Sequence, residues 1–200
     1  MKAAHLKAAH PAPARLGDVP ATRWKNGKGI TRELLRVAAP GNPDDFALRI
    51  SIANMDCDAG FSTYPGIDRI LAILRGSGME LIDVPTGAAC HALRGRYSSV
   101  AFAGERPLEG RLLDGPILDF NVMVRRDTAT AAVRIVEHSR TVPALDCRLL
   151  FVAQGQARIV FAHGSALVLE ESGFIEPRGA EYITTVGASV AFLVDFCWRE

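Results

Sequence analysis

The stretch FALRISIA, residues 46–53, indicates a β-strand whose two faces differ in kind. Side chains alternate across a strand, so the large apolar residues share one face, namely Phe46, Leu48, Ile50 and Ile52. The other face carries small residues around Arg49 and Ser51, unlike the mixture of Lys, Glu and Thr that is typical of a solvated face. We expect this strand to form the wall of a ligand cavity. An edge arginine paired with a nearby carboxylate is an equally good interpretation of the strand taken alone.

A second strand, within residues 116–126, repeats this division. One face is apolar throughout, with Leu118, Phe120, Val122 and Val124. The other face carries Ile117, Asp119, Asn121, Met123 and Arg125. Both strands are therefore expected to pack one side into the core and to keep the other side for polar recognition.

The rest of the chain predicts an all-β fold with few or no long helices. Beyond residue 129, short apolar segments separated by turns recur every ~8–12 residues, a spacing typical of sandwiches and barrels. Earlier in the chain, residues 70–84 predict a β-hairpin that turns at Gly76-Ser77-Gly78.

A weak internal repeat supports a duplication. The segment RILAILRGSGMELIDVPTG, from Arg69, aligns with RLLFVAQGQARIVFAHG, from Arg148, and Gly76 falls on Gly155. An offset of ~80 residues is too long for a solenoid but fits two copies of a small β-barrel, so we predict a duplicated barrel packed as one body. We expect a flexible leader at residues 1–20 and one compact domain at residues 21–200, with lobes at about 21–126 and 127–200.

The composition argues against several classes of function. The formal net charge is +1, so the chain lacks the bulk charge that attracts nucleic acid or an anionic membrane. No apolar run approaches the ~18 residues of a membrane-spanning helix, and the N-terminal residues lack the apolar stretch of a secretory signal. The four cysteines, at positions 57, 90, 147 and 197, form no CxxC pair, which predicts free thiols in a reducing cytoplasm.

The histidine pattern argues against a metal site. The five histidines form no HxH, HExxH or HxxE motif, and the two-histidine strand of a metal-dependent cupin is missing. The chain also lacks a GxSxG elbow and a complete phosphate-binding loop. We therefore expect no metal and no other cofactor.

A polar set on this apolar scaffold defines the candidate ligand-binding site: Trp24, Asn26, Thr31, Arg49, Ser51, Ser62, Arg69, Asp119, Asn121 and Arg125. A guanidinium group binds a carboxylate through two parallel hydrogen bonds, whereas amides and hydroxyls orient a ligand and an indole offers a flat apolar wall. We expect Arg49 and Arg69 to anchor a carboxylate, with Arg125 as a second anchor at the cavity mouth. Asp119 is expected to orient one of these arginines. A purely structural ion-pair network among the same residues stays open.

Four motifs in the chain resemble those of the HutD/Ves family: WKNGKGIT at residues 24–31, RISIA at 49–53, GFSTYPGIDR at 60–69 and GPILDFNVM at 115–123. They cover residues 22–126, while the C-terminal part of the chain shares only the short-strand style. Lys28 stands where the family usually has glycine, and Leu48 stands where tryptophan is common. These two departures leave the exact ligand open.

The resemblance implies a bicupin-like β-barrel without the metal site of typical cupins. It also implies a role in bacterial histidine utilisation or, in the Ves branch, in stress response. A member of the family is expected to bind a small acid of the pathway, with N-formylglutamate as the favoured ligand, and to restrain pathway output.

Our leading hypothesis is therefore a metal-independent sensor of a small carboxylate metabolite, acting as a monomer or a homodimer. One alternative is a metal-free enzyme, an isomerase or hydrolase acting on a small acid, with Asp119 or His91 as the proton-transfer group. The other alternative is an interaction protein without a ligand.

Overall fold

A computed structural model describes residues 12–200 of the chain, so residues 1–11 of the predicted leader lie outside the described part. The all-β class is confirmed, because the regular structure of residues 12–200 consists of β-strands and a short 3-10 turn at Leu16–Asp18, without an α-helix. No helical segment in this range has the length and apolarity that a membrane crossing requires.

The strands form three sheets in which neighbouring strands pair antiparallel. A six-stranded sheet, in the order β2-β3-β4-β11-β6-β9, contains β2 (Ala21–Arg23), β3 (Gly29–Ala39), β4 (Asn42–Met55), β6 (Ile67–Arg75), β9 (Ser99–Ala103) and β11 (Ile117–Arg125). A four-stranded sheet, in the order β5-β10-β7-β8, contains β5 (Ala59–Gly60), β7 (Gly78–Asp83), β8 (Ala89–Arg94) and β10 (Leu108–Leu112). These two sheets make up what we call the N-terminal lobe.

The third sheet, which we call the C-terminal lobe, has seven strands: β1 (Ala14–Arg15), β12 (Ala129–Glu137), β13 (Thr141–Pro143), β14 (Cys147–Phe161), β15 (Ala166–Glu170), β16 (Gly173–Ile175) and β17 (Ala180–Trp198). Its main order is β1-β16-β14-β17-β12, with β13 added on β17 and β15 added on β14. The first strand of the described residues, β1, therefore pairs within the C-terminal lobe.

The two faces of the six-stranded sheet pack against different partners. The apolar face of β4 and β11 forms one core with the C-terminal lobe. In that core, the ring centroid of Phe120 lies 5.8 Å from that of Phe151 and 5.2 Å from that of Phe192. The opposite face packs in part against the four-stranded sheet, where Leu71 and Met79 belong to a second core. The candidate site therefore lies on the inner face of the N-terminal lobe.

Phe46 departs from the predicted alternation. Leu48, Ile50 and Ile52 face the C-terminal lobe as expected, whereas Phe46 packs with Ile67 and Met123 on the other side of the sheet. The cause is a β-bulge: Leu48 pairs with Val37 and Phe46 pairs with the next residue of β3, which leaves one extra residue in β4. A single extra residue reverses the face of every side chain beyond it.

The hairpin predicted for residues 70–84 is wrong. Strand β6 pairs with β11 and β9, whereas β7 pairs with β10 and β8, so the chain passes from one sheet to the other at this turn. Gly76 makes this corner possible, because it has a φ of +95° and a β-carbon there would lie 2.7 Å from the backbone oxygen of Pro116. The turn residues were recognised, but their sequence does not say whether a turn joins strands of one sheet or of two.

Gly76→Ala is expected to lower the free energy of unfolding by about 2–3 kcal/mol, because it adds a backbone clash to an unfavourable φ. Gly41→Ala is the matched control, since Gly41 has a φ of +74° but no heavy atom within 4 Å of an added β-carbon. Denaturant unfolding should give the control a loss of only about 1 kcal/mol. Equal losses in the two variants would contradict the close approach at the corner.

Candidate functional site

A cavity of about 820 Å³ opens on the inner face of the N-terminal lobe. Nine of the ten predicted site residues line it: Trp24, Asn26, Thr31, Arg49, Ser51, Ser62, Arg69, Asp119 and Asn121. The tenth, Arg125, does not. A volume of this size suits a small metabolite, and its lining combines apolar walls with a few polar groups.

Strand pairing explains how distant residues converge, because β11 lies between β4 and β6. Ser51 is directly opposite Asn121, while Arg49 and Arg69 are both opposite Met123. Neighbouring strands are ~4.8 Å apart, so the backbones of the two arginines lie about 10 Å apart. A small ligand above Met123 is therefore within reach of both guanidinium groups.

Arg69 is buried between two aromatic rings. Its guanidinium carbon lies 4.9 Å from the ring centroid of Phe61 and 5.2 Å from that of Phe102, and its Nη1 donates to the backbone oxygen of Ser62 at 3.4 Å. Within residues 12–200, Nε finds no hydrogen-bond partner and no carboxylate lies at ion-pair distance from Arg69. Burial lowers the pKa of Arg69 to about 10, with the charge of Asp119 opposing this shift, so the guanidinium remains cationic at neutral pH.

Asp119 and Asn121 are buried two residues apart on β11. The Oδ1 atom of each finds no hydrogen-bond partner among the described residues. Burial raises the pKa of Asp119 to about 7, although the charge of Arg69 lowers it in part. Asp119 therefore gains and loses a proton near neutral pH, and it can either donate or accept a hydrogen bond.

Asp119 does not orient an arginine through an ion pair with any described residue. The strand register gives the reason, because Asp119 pairs with Ala53 and Ile73, whereas both candidate arginines pair with Met123. Four residues along a strand correspond to about 13 Å. Asp119 and Arg69 therefore influence each other's pKa without forming an ion pair.

Glu33 is a cavity-lining residue that the sequence reasoning missed. Its Oε2 atom accepts a hydrogen bond from Nε of Arg49 at 2.6 Å. Glu33 lies two residues beyond Thr31 on β3, so the alternation that placed Thr31 in the site also applies to Glu33. One of the two predicted anchors is thus already paired with a carboxylate of the chain.

The turn before β3 forms the rim of the cavity. Nε1 of Trp24 donates to Oγ1 of Thr31 at 2.8 Å, which fixes the indole as a wall. Oδ1 of Asn26 accepts a hydrogen bond from the backbone N–H of Lys28 at 3.1 Å and so stabilises the turn. Nζ of Lys28 donates to the backbone oxygen of Asp58 at 2.7 Å, which ties the rim to the next loop.

Arg125 forms an ion pair with Asp45 outside the cavity. The structural ion-pair interpretation therefore describes Arg125, and in part Arg49, whereas Arg69 has no such partner among the described residues. His91, the other predicted proton-transfer group, lies on β8 and does not line the cavity. In residues 12–200, no group of three or more His, Cys, Asp and Glu side chains is arranged to hold a metal ion.

Comparison with known proteins gives consistent results. The model of the family described as HutD matches residues 17–184. Protein Ves of Cronobacter sakazakii is 36% identical over 138 residues, which are 68% of this chain and 73% of the relative. A 21.2 kDa protein encoded in the hutC 3' region of Pseudomonas putida is 34% identical over 149 residues, which are 74% of this chain and 76% of the relative.

Solved structures extend the comparison to the fold. The structure of HutD from Pseudomonas fluorescens SBW25, described as a formate condition, is 26% identical with a TM-score of 0.76 and covers 94% of this chain and 99% of that chain. A cupin 2 conserved barrel domain protein from Leptotrichia buccalis is only 8% identical but has a TM-score of 0.58, covering 96% of this chain and 99% of that chain. The fold is therefore cupin-like.

Proposed function

Because this chain belongs to the HutD family, we propose that it binds a small carboxylate metabolite in the cavity of the N-terminal lobe without a metal ion. The favoured ligand is an acid of the N-formylglutamate type, and the proposed role is regulation of histidine utilisation. The hutC 3' region named for the Pseudomonas putida relative and the HutD name of the solved structure support this context.

One observation carries the binding proposal. Three polar atoms of the cavity are buried without a partner in residues 12–200: Nε of Arg69, Oδ1 of Asp119 and Oδ1 of Asn121. A buried polar group without a partner costs about 1–3 kcal/mol, so native proteins rarely keep several together without a function. A carboxylate bound by Arg69 and a polar ligand group near Asn121 would satisfy these atoms.

The chemistry of Arg69 favours an anion over a neutral ligand. Its guanidinium is cationic and packed between the rings of Phe61 and Phe102, with no carboxylate of residues 12–200 at ion-pair distance. A planar carboxylate matches the geometry of a guanidinium group and forms charge-assisted hydrogen bonds with it. The formate named for the Pseudomonas fluorescens structure is the smallest member of the same chemical class.

We also propose that the two lobes are copies of one cupin-like barrel. Gly76 and Gly155, which align in the sequence repeat, both have a positive φ, +95° and +69°. An added β-carbon would clash with the backbone oxygen of Pro116 at Gly76 and with Oγ of Ser189 at Gly155. After β6 the chain passes to the other sheet of the lobe, with new partners on both edges. At Gly155, β14 keeps β17 as its partner with a register shift between Gln154 and Gln156, and on its other edge it exchanges β16 for β15. A positive-φ glycine and a change of strand partner at corresponding positions support a common origin.

The proposal locates the protein in the cytoplasm. The thiols of Cys57, Cys90, Cys147 and Cys197 are free, which suits a reducing compartment. The oligomeric state, monomer or homodimer, stays a prediction from the sequence.

A second candidate function is a metal-free isomerase or hydrolase acting on the same acid, and Asp119 favours it. A general acid or base works best with a pKa near the operating pH, and burial raises the pKa of Asp119 to about 7 inside the cavity. A carboxyl group of this kind is also compatible with a binding protein that takes up a proton with its ligand.

Isothermal titration of the full chain against N-formylglutamate, glutamate, formate and urocanate tests the binding proposal. We expect saturable binding of one acid with one site per chain. Proton NMR of the incubated complex then separates a sensor, which leaves the acid unchanged, from an enzyme, which converts it. If none of these acids binds to the folded protein, the carboxylate proposal is wrong.

A further inference from the structure

The two inward-facing arginines of the cavity differ in their electrostatic state. Arg69 has no carboxylate of the described residues at ion-pair distance, whereas Arg49 is held by Glu33 at 2.6 Å. Both arginines are opposite Met123, on the two strands that flank β11, but only β4 has β3 and its Glu33 on the other side. Of these two arginines, Arg69 is thus an unpaired cation among the described residues, and Arg49 is already neutralised by a carboxylate of the chain.

Glu33 and Arg49 both line the cavity, and their ion pair is partly exposed. Glu33 pairs with Ser51 across β3 and β4, which places its side chain next to that of Arg49 on the inner face. The side chain of Glu33 is 39% exposed and that of Arg49 is 22% exposed, so the carboxylate is the more accessible member of the pair. A partly exposed ion pair is weak, and a ligand carboxylate can replace one that belongs to the protein.

From these contacts we infer that Glu33 is a specificity-determining residue: it competes with the second carboxylate of a dicarboxylate ligand for Arg49. This inference rests on the proposed function, with Arg69 receiving the first carboxylate. A ligand with one carboxylate and a neutral polar tail leaves the Glu33–Arg49 pair in place. A ligand with two carboxylates has to displace Glu33 and is also repelled by its charge.

The other cations near the cavity do not explain a discrimination between ligands with one carboxylate and ligands with two. Arg23 and Lys25 line the rim, but both are exposed, so water and salt screen their attraction for a carboxylate. Lys28 is engaged by the backbone oxygen of Asp58. Asp119 lies beside Asn121, four residues along β11 from the row that contains Met123 and both anchors. Glu33 is therefore the charged group in the described chain that distinguishes Arg49 from Arg69.

The test compares N-formylglutamate, which has two carboxylates, with N-formylglutamine, in which an amide replaces the side-chain carboxylate. Their affinities are measured by isothermal titration for the wild-type chain and for Glu33→Gln, which keeps the shape of the side chain and removes its charge. In the variant, we expect the ratio of the two affinities to shift about tenfold toward N-formylglutamate. A shift of this size corresponds to one charge-assisted hydrogen bond gained by the second carboxylate in a partly desolvated site.

Two further variants make the result specific. Combining Glu33→Gln with Arg49→Gln should abolish the shift in the ratio, because the gain depends on the released guanidinium. Glu80→Gln is the matched control. Glu80 forms a cross-strand ion pair of 3.1 Å with Arg94, and neither residue lines the cavity. This control should leave both affinities unchanged, and unfolding curves show whether each variant is folded.

The outcomes separate the inference from the function on which it rests. An unchanged ratio in Glu33→Gln, with both acids still binding, overturns the role of Glu33 and leaves the carboxylate site intact. A shift that persists without Arg49 also overturns it. If neither acid binds to the wild-type chain or to any folded variant, the proposed function fails and the inference fails with it.

Discussion

Arg69→Met is expected to abolish acid binding without destabilising the fold. Removing a buried guanidinium that pairs with a ligand carboxylate weakens binding by about 2–5 kcal/mol, because the ligand charge is left without a partner. Methionine retains the length of the side chain and its packing between Phe61 and Phe102. It also removes a buried charge that no carboxylate of residues 12–200 neutralises, so the free energy of unfolding should remain the same or increase.

Arg126→Met is the matched control for this prediction. Arg126 binds Glu105 through two hydrogen bonds and Asp68 at 2.9 Å, outside the cavity, as expected for an arginine that serves the structure. Its loss should lower stability and leave acid binding unchanged. Titration and denaturant unfolding of both variants check the pair of expectations. A strong loss of stability in Arg69→Met, with affinity retained, would mean that Arg69 is structural.

Asp119→Asn is expected to remove a large part of the pH dependence of stability. Burial raises the pKa of Asp119 in the folded chain to about 7, well above its ordinary value of 3.8. Between these pH values the folded protein retains a proton that the unfolded chain releases. The free energy of unfolding therefore falls as pH rises from about 4 to about 7, and Asp119 causes no further change above that. The expected loss is on the order of 4 kcal/mol. Asparagine has no proton to lose, so the variant should be more stable than the wild type at pH 8 and similar to it near pH 4.

Asp45→Asn provides a control of opposite sign. The hydrogen bond from Arg125 is the main cause that lowers the pKa of Asp45, so this carboxylate stabilises the fold at neutral pH and loses that contribution in acid. Denaturant unfolding of the wild type and both variants at pH 3, 4, 6 and 8 gives the comparison. If the wild type and Asp119→Asn have parallel profiles, Asp119 ionises normally and is not isolated in the cavity.

Residue alternation was enough to locate most of the candidate site. Arg49 and Ser51 on β4, and Asp119 and Asn121 on β11, share the inner face that their period of two predicts. The same rule failed at Phe46, because a bulge adds one residue to β4 and reverses the face beyond it. Bulges follow from the pairing of two strands, and the sequence of one strand does not show them.

The ion-pair partner of a residue was harder to predict than the strand face on which the residue lies. Glu33 lies 16 residues before Arg49, and Asp45 lies 80 residues before Arg125, so both pairs depend on the register of the sheet. The burial that isolates Asp119 and raises its pKa depends on all the layers around it. Polar residue types therefore predicted where the site lies, whereas the structure determines which of its charges remain unpaired.

The two faces of strand β11 have different tasks. On β11, Phe120 and Val122 contact the C-terminal lobe, while Asp119 and Asn121 line the cavity. A saturation-mutagenesis scan scored for protein abundance should depend on the first pair, and one scored for acid response should depend on the second. A one-residue deletion within this strand would exchange the two sets and fail both selections. We therefore expect insertions and deletions within β11 to be tolerated less well than those in the exposed turns.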